Sequence, residues 1–121
     1  MARTEKHALT SFLRNLFAHL LKWTYQMRER ELHLSSWRSS IVAARDEIED
    51  VLERSPSLGS EHNLNACMEK AYGRARKYAA AEMGLSDREM NRLFPKDCPW
   101  AFAQFMTEGF LPEQQSATAS Q

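Results

Sequence analysis

The sequence predicts an all-α fold, a small helical bundle of three main helices followed by two short C-terminal ones. Three observations predict it. Apolar residues recur at spacings of three and four through three long stretches, as they do along one face of a helix. Proline is absent from all three stretches and stands at their boundaries or in the C-terminal third. No segment shows the apolar–polar alternation of a half-buried strand.

The first helix is predicted over residues 4–30. Leu9, Leu13, Leu16, Phe17, Leu20 and Leu21 form its stripe, Phe12 widens it, and Arg14, Asn15 and Lys22 fall mainly off it. Ser35-Ser36 supplies a cap for the second helix, whose seam of Trp37, Ile41, Ala44, Ile48 and Val51 is narrow. Beside that seam, Arg45 with Glu49 and Asp50 with Arg54 are opposite charges one turn apart, the usual look of a solvated face. Ser55-Pro56 ends the helix, because the residue before proline is pushed out of the helical region.

The third helix starts near Ser57 or Ser60, carries Leu64, Met68, Ala71, Ala75 and Tyr78, and stops at Gly84. Ser86 and Glu89 form a capping-box pattern, which predicts a short helix over 87–93 before Pro95. Asp97 or Cys98 caps a last helix with Pro99 at its first position, ending at Gly109, and Phe110-Leu111-Pro112 docks back on the body. Residues 1–112 thus read as a single helical domain. Residues 113–121, without a large apolar side chain, read as a disordered tail.

The chain has 121 residues, enough to bury roughly two-thirds of its unfolded surface around one core. No apolar run approaches the ~20 residues of a membrane span, and the polar start lacks a signal-peptide core. Two cysteines, Cys67 and Cys98, without metal-ligand spacing, read as reduced thiols, so the expected location is cytoplasmic. Sixteen basic and sixteen acidic side chains cancel, but unevenly. Residues 1–40 hold seven bases against three acids, and residues 41–61 hold two against six. Such blocks are expected to attract each other as neighbouring antiparallel helices.

Three stretches, Leu16 to Gln26 (LFAHLLKWTYQ), Ser36 to Leu58 (SWRSSIVAARDEIEDVLERSPSL) and Ala79 to Pro112 with its EMGL, FPKDCPW and GFLP elements, resemble a known family in order and separation. That family is the bacterial domain of unknown function 29. The resemblance implies an all-helical bundle and no established activity. It also implies a departure: family members carry a further N-terminal stretch, with an aromatic-rich start and an acidic helix, ahead of the part that Arg3 to Lys6 resembles. The helices that receive that stretch are expected to expose apolar surface here, which drives association. Met27 stands where the family often has proline, which lets the first helix run on toward Glu31.

His19, Lys22 and Trp23 are spaced three and four apart and share one helix face. They form a candidate pocket in which His19 carries a proton or ligates, Lys22 meets an anion and Trp23 is a wall. The competing and simpler reading is a hydrogen-bonded, half-buried histidine beside a snorkelling lysine. Arg38 and Glu82 join this candidate because both lie in stretches that carry the resemblance, not because of their spacing.

Lys70, Arg74, Arg76 and Lys77 form a candidate anion-binding run on the third helix. A solvated face beside an acidic neighbour explains them equally simply. Cys98, at an expected helix N-terminus, is a weak candidate for an activated thiol, against the reading of a small apolar residue at a turn. No zinc or di-metal spacing, phosphate loop, dinucleotide fingerprint or catalytic constellation is present, so no metal, cofactor or catalytic residue is assigned. The sequence therefore points to a non-catalytic helical interaction module. Its expected partner is a second copy or another protein covering the first helix, with no role for a membrane. Nucleic-acid or anion binding through the basic faces is one alternative, less favoured at zero net charge, and an enzyme with a pocket around His19 is the other.

Overall fold

The structure is a computed structural model that describes residues 2–26 and 30–112. Its helices are α1 (Ala2–Tyr25), α2 (Arg30–Arg54), α3 (Glu61–Met83), α4 (Asp87–Leu93) and α5 (Phe102–Phe105), with one 3-10 turn, Pro56–Gly59, between α2 and α3. No strand occurs among the described residues, and the fold is a small all-α bundle. The expected tail, 113–121, and residues 27–29 of the expected first helix lie outside the described residues.

The breadth of the α1 stripe has a direct cause in packing. α1 lies between α2 and α3 and packs against both, so two neighbours must be served by one helix. Leu9, Leu13, Leu16, Phe17, Leu20 and Leu21 are all fully buried. α2 touches the bundle mainly along α1, which is why its seam of Trp37, Ile41, Ala44, Ile48 and Val51 is narrow. Small residues on α3, Ala71, Ala75 and Ala79, lie fully buried in the core. α1 and α3 run parallel: Lys6 and His7 near the start of α1 lie beside Cys67 and Lys70 in the first half of α3, and Lys22 meets Glu82 near their C-terminal ends.

The C-terminal segment closes the core around one ring. Phe17 meets Tyr72 edge-on at 5.9 Å, Phe105 edge-on at 5.0 Å and Trp100 in a stack at 6.2 Å between centroids. Tyr72 donates its hydroxyl to the Pro95 carbonyl at 2.7 Å. Phe110 and Leu111 pack on the core and Pro112 is buried, so this segment docks back as expected.

Several predicted boundaries hold, and others move for identifiable reasons. Ser60 caps α3 by accepting from the Asn63 amide, and Gly84 takes the left-handed conformation (φ 72°) just past its end. The capping box of Ser86 and Glu89 is formed in both directions, and α4 covers the predicted 87–93. The first helix ends at Tyr25, short of residue 30, and α2 starts at Arg30. Ser35-Ser36 therefore lies inside α2 and caps nothing. The last helix is a single turn that starts at Phe102. Pro99 is not at its first position, and the Ala101 amide is met by Gln104 Oε1 at 3.3 Å.

Two expectations about surfaces are corrected. The expected apolar exposure is not found: no described apolar residue from Leu9 to Trp23 is exposed, and Val42 (54%) and Tyr78 (52%) are the exposed large hydrophobics among the described residues. The α1 stripe is covered by its own chain, so no partner is needed to bury it. Nor, among the described residues, does an ion pair join a base of α1 to an acid of α2 as expected. The ion pair between these helices there has the opposite sense, Glu5 with Arg54 at 3.1 Å, and Asp46, Glu47, Glu49, Asp50 and Glu53 of α2 are exposed.

Candidate functional site

The α1 cluster assembles near the C-terminal ends of α1 and α3. Lys22 is buried (7% side-chain exposure), and its ammonium donates to Glu82 Oε2 at 2.8 Å. The same ammonium sits 5.7 Å from the centre of the Trp37 ring, within cation–π range. Trp23 is buried, and the Arg38 guanidinium lies 5.5 Å over its ring. Sequence and resemblance named these four candidate residues together with His19, and the structure brings the four to one end of the α1–α3 pair. Trp37, which the sequence assigned only to the core, joins them as a ring under the lysine.

His19 is held from its own helix. Its Nδ1 lies 2.7 Å from the Asn15 carbonyl, and since a carbonyl can only accept, Nδ1 carries the proton and Nε2 is left as the acceptor. Burial pushes the imidazole pKa below its ordinary value and the nearby Lys22 charge adds to this, while the Asn15 carbonyl and Glu82 oppose it. A neutral His19 beside a lysine already neutralised by Glu82 is a satisfied arrangement. It has the chemistry of an anchor for the α1–α3 contact more than that of an open acid–base pair.

The basic run on α3 has a different environment. Lys70, Arg74 and Lys77 are exposed and recur at four and three, so they share one face, whereas Arg76 turns away and donates to Asn91 Oδ1 at 3.0 Å. Lys70 and Arg74 line a depression of about 450 Å³ between α1 and α3, together with Lys6, His7 and Thr10 of α1 and Cys67. A second, more open depression continues along α3 past Gly73 to Lys77. Sequence reasoning missed the α1 contribution because Lys6 and Lys70 are far apart in the chain. Parallel packing of the two helices, the step that joins them, is not written in the local sequence.

α2 presents the opposite sign. Asp46, Glu47, Glu49, Asp50 and Glu53 are all exposed, and two arginines, Arg45 and Arg54, flank them. Arg54 bonds Glu5, and Arg45, 7% exposed, donates to the Phe105 carbonyl at 2.8 Å and to the Phe110 carbonyl. The helical pairing of Arg45 with Glu49 suggested by their spacing is thus replaced by a clamp on the C-terminal segment. A buried guanidinium needs acceptors within the core, and the carbonyls at the end of α5 and at Phe110 lie there, where a solvated carboxylate does not.

Cys98 is not an activated thiol. No helix begins at Pro99, burial raises the thiol pKa to about 11, and Sγ donates to the Trp100 carbonyl at 3.4 Å. Cys67 and Cys98 are both free. Among the described residues no group of three or more His, Cys, Asp or Glu is placed to hold a metal ion, and no helix is long and apolar enough to cross a membrane.

Comparison with curated proteins and with solved structures finds no match to this chain. The resemblance carried by its α1, α2 and C-terminal stretches has the support of a family model described as Domain of unknown function DUF29, which matches residues 1–111. A helical bundle bearing those stretches in that order over almost its whole length belongs to the DUF29 family.

Proposed function

We propose that this chain is a non-catalytic helical interaction module that recognises a protein surface of opposite charge through its outer faces. One observation carries the reading: the exposed acids at 46, 47, 49, 50 and 53 of α2 and the exposed bases Lys70, Arg74 and Lys77 of α3 are opposite in sign, and no ion pair joins them among the described residues. With the α1 stripe closed, charge rather than apolar area is what the bundle offers a partner. Complementary charged patches steer encounter and select partners more than they hold them. We place the module in the cytoplasm, where the free thiols of Cys67 and Cys98 stay reduced.

The test titrates the chain with poly-L-glutamate, a mimic of an acidic protein surface, and in parallel with a single-stranded oligonucleotide. The module reading expects poly-L-glutamate to bind at about 0.01 M salt, to be released at about 1 M, where the screening length falls to about 3 Å, and to fail with a Lys70→Gln/Arg74→Gln variant. Absence of any such binding removes the reading. A second reading, phosphate binding in nucleic acid, is favoured by the depression where Lys6, Lys70 and Arg74 converge. Salt-dependent binding of the oligonucleotide without binding of poly-L-glutamate selects it instead.

A further inference from the structure

Val42 and Tyr78 are the exposed large hydrophobics of the described chain, and each sits at one end of a charged stripe. On α2, Val42 is followed one and two turns later by Asp46 and Asp50, all exposed. On α3, Tyr78 is preceded one and two turns earlier by Arg74 and Lys70, also exposed. Lay the two helices antiparallel with Val42 opposite Tyr78, and Asp46 falls opposite Arg74 and Asp50 opposite Lys70, since both stripes step by four residues. The apolar ends and the charges agree on one alignment.

That alignment cannot form within one molecule. α2 and α3 pack on α1, which lies between them, and the two stripes are exposed rather than joined. The geometry points to a second copy of this chain as the occupant of the basic face: the acidic outer face of α2 in one copy docks antiparallel on the basic stripe of α3, along the α1–α3 depression, in the next. The Tyr78 ring is already held by the Arg14 guanidinium, 4.8 Å from its centre, and so is presented to the incoming Val42 as a fixed surface. Lys6 and Lys77 extend the basic side, Glu49 and Glu53 the acidic side, and Glu69 is the one exposed acid of α3 between Ala66 and Tyr78.

The contact is heterologous. Each copy uses its α2 face toward one neighbour and keeps its α3 face for another, so copies add head to tail rather than closing a two-fold dimer. Exposed ion pairs contribute little individually and are screened by salt, so the association is weak, reversible and steeply salt-dependent. The inference rests on the interaction-module reading and narrows its partner to the chain itself.

The experiment is light scattering coupled to size-exclusion chromatography on the full chain, over a dilution series reaching about 1 mM, where a contact with a Kd of that size is still substantially occupied. Two variants accompany it, Asp46→Asn/Asp50→Asn and Lys70→Gln/Arg74→Gln, all at exposed positions, with circular dichroism confirming that both remain folded. The wild-type mass is expected to rise with concentration at about 0.01 M salt and to return to the 14.0 kDa monomer at about 1 M. Each variant alone is expected to stay monomeric. Mixed in equal amounts they are expected to give a species of twice the monomer mass, because one supplies the intact acidic face and the other the intact basic face. A wild-type chain that stays monomeric throughout overturns the inference, and so does association that both variants retain unchanged. Binding of poly-L-glutamate by a chain that never self-associates sinks this inference and leaves the module reading standing, whereas loss of both sinks both.

Discussion

The most informative single side chain is Lys22, because its charge is buried and its partner is not. The Lys22 side chain is 7% exposed while the Glu82 side chain is 56% exposed, so the acid is largely solvated in any state and the base is not. Removing the acid leaves an ammonium without its counter-charge in an apolar setting, whereas removing the base leaves a carboxylate in water. Glu82→Gln is therefore expected to destabilise the fold by about 1–2 kcal/mol, reduced from the cost of a fully buried pair by solvent screening at the acid. Lys22→Met, which keeps the stem that packs near Trp37, is expected to be close to neutral. Urea unfolding of the two variants measures the contrast.

His19 adds a pH dependence of defined sign. Its folded pKa is depressed by burial, aided by Lys22 and opposed by the Asn15 carbonyl and Glu82, so the folded state binds the proton less readily than the unfolded chain. The stability this contributes is fully present above the ordinary imidazole value of about 6.5 and is lost as pH falls through the depressed folded value. Thermal melts of wild type and His19→Gln across that window are expected to diverge, with the wild type losing stability on acidification more steeply than the variant.

At the scale of elements, the legible parts of the fold are those whose signals are local. The Ser86–Glu89 box and Gly84 each act through hydrogen bonds or backbone angles a few residues away, and α4 and the end of α3 follow from them. The α1 stripe likewise marked a helix, but its breadth read as a face for a partner, whereas α2 and α3 of the same chain pack against it. What failed depended on partners elsewhere in the chain. Ser35-Ser36 has the composition of a cap, but α2 runs through it, carrying His33 against the Trp37 ring at 5.6 Å. Arg45 looked like half of a surface pair with Glu49, and only the docking of residues 105–110 reveals the two carbonyls that claim it. The basic depression was half legible, since α3 showed Lys70 and Arg74 but the parallel approach of α1 supplied Lys6. Lys22 with Glu82 was named in advance through family resemblance, and no spacing rule predicts a contact across 60 residues.

The Arg45 clamp carries the prediction at this scale. It ties α2 to the C-terminal segment, whose α5 is only one turn and contributes little by itself. Arg45→Met preserves most of the buried stem but leaves two carbonyls without their donor. The expected cost is about 2–3 kcal/mol, typical for hydrogen bonds to a charged group in a buried setting. The loss should be local before it is global. Amide exchange is expected to accelerate across residues 102–111 while α1 and α3 keep their protection.

For the whole molecule, the division of labour is between a core that closes on itself and a surface that sorts charge by face. Phe17 gathers Tyr72, Trp100 and Phe105 around one ring, so α1, α3 and the C-terminal segment share a single cluster. The apolar surface expected to invite a partner is consumed there. The surface groups the acids Asp46, Glu47, Glu49, Asp50 and Glu53 on α2 and the bases Lys70, Arg74 and Lys77 on α3, and the recognition we propose runs through these two groups. A chain of zero net charge can in this way be strongly polar in its interactions.

The measurement that tests this most directly is a map of amide chemical shifts recorded while the labelled chain is concentrated at low salt. Perturbations are expected to concentrate on two separate stretches, residues 42–53 of α2 and 66–78 of α3, and to disappear at high salt. Perturbations centred instead on residues 19–23 and 37–38, or unchanged by salt, would contradict the account and return the working surface to the lysine and tryptophan cluster at the end of α1.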